Sequence, residues 1–399
     1  MKLRVINYDE VYDDKALNLF YQSNFYNKKE FDYVRVPPEW LFRYNLSNDY
    51  ITKIALLDNE VIGSIGLLIG MARFAKKKIK VGCFVDNCVL PKYSKERHRI
   101  LESLFKELEK ESKVRGIDII AGWEYLKNVN QDKGFFEKLG FKWVDGANWI
   151  SSSVVFSGTY PFEWKTKSSV IWSFLFRIMS RYHCFKEKFN PPLPESMIIR
   201  NMNKDDIKNL CDMAENIYSE SSTFRVIYDY QELENLFNSG ILHGLIVEDN
   251  SKIIGFLTYI ISAWSGWMFG KPYYDKNWQI FYGFTPDEFV VLSEYQKTSL
   301  PAHMILQLMK TKNPEEGLLH KRGYSFVADV FDTRIEWRKN ALLQVGCIEP
   351  KFDYGVILAK SLRDDIELDT NKIWHLPARY IVAPVPSSSY FQKPDQQGV

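Results

Sequence analysis

Short runs of β-branched residues broken by polar turns alternate along this chain with stretches whose apolar positions recur at helical spacing. Tyr50 to Leu57, the turn Asp58-Asn59-Glu60 and Val61 to Gly66 predict a β-hairpin. An apolar strand reaching Leu90, a turn marked by Pro91 and a helix from Glu96 to Val114 follow. That helix carries Ile100, Leu101, Leu104, Phe105 and Leu108 on one face and charges on the other. Gly116 reads as the residue that ends it, with a strand over Ile117–Trp123 behind. A further helix runs from Asn130 to Gly140-Phe141, then a closing strand over 148–155.

The same order returns at an offset of roughly two hundred residues. Leu3–Asn7 and the helical Asp13–Phe20 are matched by Ile198–Met202 and Asp205–Cys211, and the hairpin by Gly244–Leu257. Phe289–Leu292, a helix over Pro301–His320, Gly323, a strand over Tyr324–Val330, the helical Asn340–Cys347 and a closing strand over 354–358 complete the second series. Each half is therefore expected to close its own sheet. The boundaries this implies are 1–158, a connector over 159–195, 196–385, and a disordered tail over 386–399. Within the connector, Lys167–Phe189 has the spacing of an amphipathic helix, and Asn190-Pro191-Pro192-Leu193-Pro194 reads as a linker.

Length and composition narrow the classes. A chain of 399 residues suits two domains, and 46% apolar with 26% charged residues is the balance of a soluble globular protein. A net charge of +2 argues against general nucleic-acid binding. The five cysteines lack Cys-x-x-Cys spacing and the six histidines lack His-x-x-x-His spacing, so reduced thiols and no metal are expected. The first residues carry no apolar signal core and no run is long enough to span a bilayer. These features read as a cytoplasmic protein without integral membrane contact.

The chemistry-bearing segment runs from Asp86 to Arg99. Its frame Val89-x-Pro91-x-Tyr93 resembles the acyl-CoA signature Val-x-Pro-x-Tyr-Arg-Gly-x-Gly-x-Gly of the GCN5-related N-acetyltransferases, the GNAT superfamily. Asn130 to Phe141 resembles that family's closing motif, Asn-x-x-Ala-x-x-x-Tyr-x-Lys-x-Gly-Phe. The loop glycines are replaced by Lys95, Arg97 and Arg99, and the motif's Tyr by Phe136. The resemblance implies an α/β fold of two tandem GNAT-like domains, each a mixed, largely antiparallel central sheet flanked by helices. Its fourth and fifth strands would splay apart around acetyl-CoA or another acyl-CoA.

On that resemblance, pantetheine would lie along the backbone of Cys88, Val89 and Leu90. The pyrophosphate would face Ser94, Lys95, Glu96, Arg97, His98 and Arg99, with Asn130 and Phe136 completing the cofactor side. Glycine permits close backbone approach to phosphate, whereas Arg97 and Arg99 offer guanidinium donors or are ordinary solvated charges. Acyl transfer needs a base for the amine proton and an acid for the thiolate. Asp86, flanked by Phe84 and Val85 and so expected to be desolvated, is the first candidate base and Glu124 the second; Tyr125 is the candidate acid. In the second half the loop Glu294–Ser299 has no glycine and carries an acid, so this half is expected not to bind acyl-CoA. The expected activity is N-acylation of a primary amine on a small metabolite or amino sugar. The rivals are a non-catalytic tandem scaffold and a Fem-like transferase using aminoacyl-tRNA.

Overall fold

Alternating strand and helix patterns set out two sheets, each with helices against it. The computed structural model describes residues 3–26, 32–33, 49–74, 77–148, 154–155, 191–219, 224–226, 229–265, 281–310, 326–327, 334–345 and 355–380. The helical connector expected over 167–189 and the tail from 386 lie outside the described residues. In chain order the first half contributes β1 (Arg4–Asn7), α1 (Asp13–Tyr26), β2 (Asp32–Tyr33), β3 (Tyr50–Leu57), β4 (Glu60–Phe74) and β5 (Lys77–Val89). It continues with α2 (Arg97–Val114), β6 (Ile119–Tyr125), α3 (Leu126–Lys138), β7 (Lys142–Asn148) and β8 (Val154–Val155). The second half contributes β9 (Met197–Asn201), α4 (Asp206–Ser219), β10 (Phe224–Val226), α5 (Tyr230–Asn238), β11 (Leu242–Asp249) and β12 (Lys252–Ser265). After these come β13 (Phe281–Val291), α6 (Leu300–Lys310), β14 (Phe326–Val327), α7 (Glu336–Gln344), β15 (Gly355–Ser361) and β16 (Trp374–His375).

Local chemistry explains the elements. Asp58 and Asn59 both have positive φ, as a two-residue hairpin turn between right-twisted strands requires, and Asn250 and Ser251 repeat the geometry between β11 and β12. Gly116, at φ 68°, ends α2 in the left-handed conformation that other residues adopt only with strain. Ile100, Leu101, Leu104, Phe105 and Leu108 are all buried, so the apolar stripe read from the sequence is the face α2 packs on the sheet.

The first sheet runs β1-β3-β4-β5-β6-β15-β7, with β10 and β16 added along the far end of β4. The second runs β9-β11-β12-β13-β14-β8, with β2 also on β12. The strand orders correspond, except that the closing strands have changed places. β15, from the second half, pairs antiparallel with β6 from Gly355↔Tyr125 to Ser361↔Ile119 and with β7 on its other edge. β8, from the first half, pairs with β14. The expectation that each half closes its own sheet is thus corrected. Both closing strands fit either slot, and periodicity carries no information about which edge a strand reaches.

One glycine fixes how β5 meets β6. A Cβ on Gly122 would stand 2.1 Å from the Phe84 ring. Phe84 has no room to yield, since it contacts the rings of Phe105, Phe136 and Phe141. Gly122→Ala is expected to destabilise the protein by about 1–3 kcal/mol through overpacking, read as a lower urea midpoint at unchanged slope.

Candidate active site

The site begins where a strand ladder stops. β5 and β6 pair in parallel from Val81↔Ile119 to Phe84↔Gly122 and no further. Both strands continue past that point, β5 to Val89 and β6 to Tyr125. A wedge therefore opens between them, and the splay expected from the family resemblance is present.

Asp86 and Glu124 each lie two residues beyond the last pair, on opposite sides of the opening, and both are buried. Asp86 sits in a bulge, since the β4–β5 register shifts between Ser64 and Gly66 and its φ is 55°. A bulge re-aims one side chain out of the pleat, and Asp is among the few residues that accept left-handed φ. The Ser64 hydroxyl donates to the Asp86 carbonyl at 2.9 Å, which holds the bulged peptide. Tyr125 ends β6 and Asn130 lies within α3; the structure describes their backbone only.

Beyond Cys88 and Val89 the chain turns under firm control. The Leu90 N–H donates to the Ile62 carbonyl at 2.8 Å, and the Tyr93 N–H to the Leu90 carbonyl at 2.9 Å. The Tyr93 hydroxyl donates to Glu60 at 3.1 Å, where burial and then that bond push its phenol above the usual value. The second half repeats these bonds, with Leu292 N–H to Ile254, Tyr295 N–H to Leu292 and the Tyr295 hydroxyl to Asp249. Val89 and Val291 face Gly63 and Gly255, respectively. The Val89–Tyr93 frame thus specifies a strand–turn–helix joint whose tyrosine is pinned to the preceding hairpin.

The joint itself is a 3-10 turn over Pro91–Glu96, not an open glycine loop, and its end is tightened by Arg97 N–H donating to Ser94. Ser94, Lys95, Glu96 and Arg99 are exposed around the start of α2. Arg97 and His98 instead lean on Asp132 of α3, a residue that sequence reasoning did not single out. No periodic or motif signal marked it beyond its place inside the closing motif. Phe136, expected on the cofactor side, is fully buried among the rings of Phe84, Phe105, Phe141 and Trp143. It belongs to the core, because losing the phenolic hydroxyl leaves no polar group to bring that ring to the cleft.

The corresponding joint of the second half touches the linker. The Pro191 carbonyl of the linker lies 2.7 Å from His303 Nε2 and 3.4 Å from Ser299 Oγ at the start of α6. The Gln296 side chain folds back onto the Val291 carbonyl. Among the described residues no three His, Cys, Asp or Glu side chains are grouped to hold a metal, and no helix is long and apolar enough to cross a membrane.

No family model matches the chain, and no curated protein does. Solved structures do. A tandem GNAT protein from the clavulanic acid biosynthesis pathway aligns with TM-score 0.55 at 10% identity, covering 92% of this chain and 100% of that one. Saccharomyces cerevisiae N-myristoyltransferase, solved with myristoyl-CoA bound, aligns with TM-score 0.59 at 9% identity, covering 96% of this chain and 89% of that one. At such identity the likeness speaks for the fold. Two corresponding sheets, a splayed strand pair in the first and whole-chain alignment to these proteins agree: this is a tandem GNAT-fold protein.

Proposed function

We propose that the chain is an acyl-CoA-dependent N-acyltransferase whose active site is the wedge between β5 and β6. The observation that carries the reading is the ladder ending at Phe84↔Gly122 while both strands run on unpaired with each other, the place where an extended ligand could lie along β5. The acceptor is a primary amine on a small metabolite or amino sugar. Its nitrogen attacks the thioester carbonyl, the C–N bond forms and the C–S bond breaks. Asp86, with Glu124 as the second candidate, takes the amine proton, and Tyr125 supplies one to the departing thiolate. The setting proposed with this activity is cytoplasmic.

Thermal shift of the full chain with acetyl-CoA and longer acyl-CoAs tests the reading, with stabilisation the expected result. No shift with any of them at millimolar concentration would favour the non-catalytic scaffold. Release of free CoA thiol with a panel of amines then identifies the acceptor class. Because the second loop carries exposed Glu294 and its helix start is engaged by the Pro191 carbonyl, calorimetric titration is expected to give one acyl-CoA per chain. A stoichiometry of two would refute confinement of the site to the first sheet.

A further inference from the structure

The first turn of α2 carries two polar side chains, Arg97 and His98, fixed from beneath. Arg97 Nη1 lies 2.7 Å from both carboxylate oxygens of Asp132, and His98 Nε2 lies 2.7 Å from Oδ1. The His98 ring also stacks on Phe135, with centroids 4.7 Å apart and planes 8° from parallel. Exposure decides what this group is. The Asp132 side chain is 5% exposed, against 31% for Arg97 and 52% for His98. A carboxylate competing with an incoming anion would have to reach the solvent. Here the acid is covered and its partners face outward.

The bond to Asp132 engages Nη1 and leaves the Nε and Nη2 donors of the guanidinium for a second partner. Two of the backbone amides here are already engaged. Where a glycine loop would present amides, the Tyr93 and Arg97 N–H groups donate to Leu90 and Ser94 inside the tight turn. Lys95 and Arg99 add exposed positive charge at the same end of α2, where the helix dipole also favours an anion.

We propose that Asp132 is a positioning residue for phosphate recognition, holding Arg97 in place beside His98 so that guanidinium donors take over the phosphate contacts of a glycine loop. The ligand group is the pyrophosphate of an acyl-CoA, so the inference rests on the acyltransferase reading. Anchoring matters because a free Arg side chain loses rotamer entropy on binding, and a clamped guanidinium loses less.

The test compares acetyl-CoA with S-acetylpantetheine, which keeps the thioester arm and lacks the phosphates. Asp132→Asn is nearly isosteric and removes the charge that orients the Arg97 guanidinium. It is expected to raise the Kd and KM for acetyl-CoA roughly tenfold, the order of one charge-assisted hydrogen bond, with kcat nearly unchanged. S-acetylpantetheine binding should not move. Arg97→Gln should weaken acetyl-CoA similarly, and the double variant should be little worse than either single one. Tighter acetyl-CoA binding in Asp132→Asn, equal losses for both ligands, or additive losses in the double variant would overturn the proposal. If Asp132→Asn does not fold, Arg97→Gln decides, and unchanged acetyl-CoA affinity there is the overturning result. Wild-type protein that binds neither ligand removes the acyltransferase reading itself, a failure distinguishable from that of Asp132 alone.

Discussion

Residues 1–158 expressed alone are expected to give no cooperatively folded protein, although they contain the whole candidate active site. The reason is the exchanged closing strand. Without β15, β6 loses its antiparallel partner from Ile119 to Tyr125 and β7 is cut off from the sheet. The loss extends into the core, because Ile357, Leu358, Leu368, Trp374, Leu376 and Tyr380 belong to the same buried cluster as Leu104 and Phe84. Burying a Leu or Ile side chain contributes about 1.5–3 kcal/mol. Removing this set together is comparable with the ~5–15 kcal/mol by which a domain is stable at all. Near-UV circular dichroism and urea unfolding of the fragment provide the measurement. A native-like spectrum with one sharp transition would mean that the chain restores the slot from within the first half.

How far the sequence foretold this architecture depends on whether a feature is local. The hairpin turns, the Gly116 helix end and the apolar face of α2 are set by residues adjacent in the chain, and each is found where the pattern put it. The Val89–Tyr93 joint is legible for the same reason, since its bonds close within a few residues or onto the preceding hairpin. The exchange of β8 and β15 is not legible. Either strand satisfies either slot by pattern, and only packing of the whole chain selects between them.

The candidate site divides along the same line. Asp86 and Glu124 could be named from the strands that carry them, but the bulge that gives Asp86 a left-handed φ comes from its register against β4. The motif position of Phe136 points to the cofactor side, whereas its ring chemistry sends it to the aromatic core. Asp132 went unmarked because its partners are 34 and 35 residues away, on another helix. Buried polar residues are recognised by whom they meet, and a single sequence does not state that.

Arg379→Met is expected to destabilise the folded chain by about 3–5 kcal/mol, the cost of leaving a buried charge without its partner. Arg379 lies in a 3-10 turn after β16 and its side chain is 5% exposed, while that of Asp287, on β13, is 0% exposed. The guanidinium donates to Asp287 Oδ2 at 2.5 Å and to Glu232 on α5 at 3.1 Å, and the Arg379 N–H donates to Asp287 Oδ1 at 3.0 Å. The same strap places Trp374 against Phe224 and Phe74 in the first sheet's core, with centroids 4.4 and 5.7 Å away. One short segment therefore ties the second sheet to the first, and Arg379 is its ionic fastening. Methionine keeps much of the volume but strands the Asp287 carboxylate where water does not reach it. Adding Asp287→Leu should recover much of the loss, because a buried pair replaced by apolar groups costs far less than a pair broken on one side. Some deficit should persist, since the Arg379 N–H then loses its acceptor. Urea unfolding of both single variants and the double variant measures this coupling. A double variant less stable than Arg379→Met alone would show that the pair does not act as a unit, and that the strap is held by its apolar contacts.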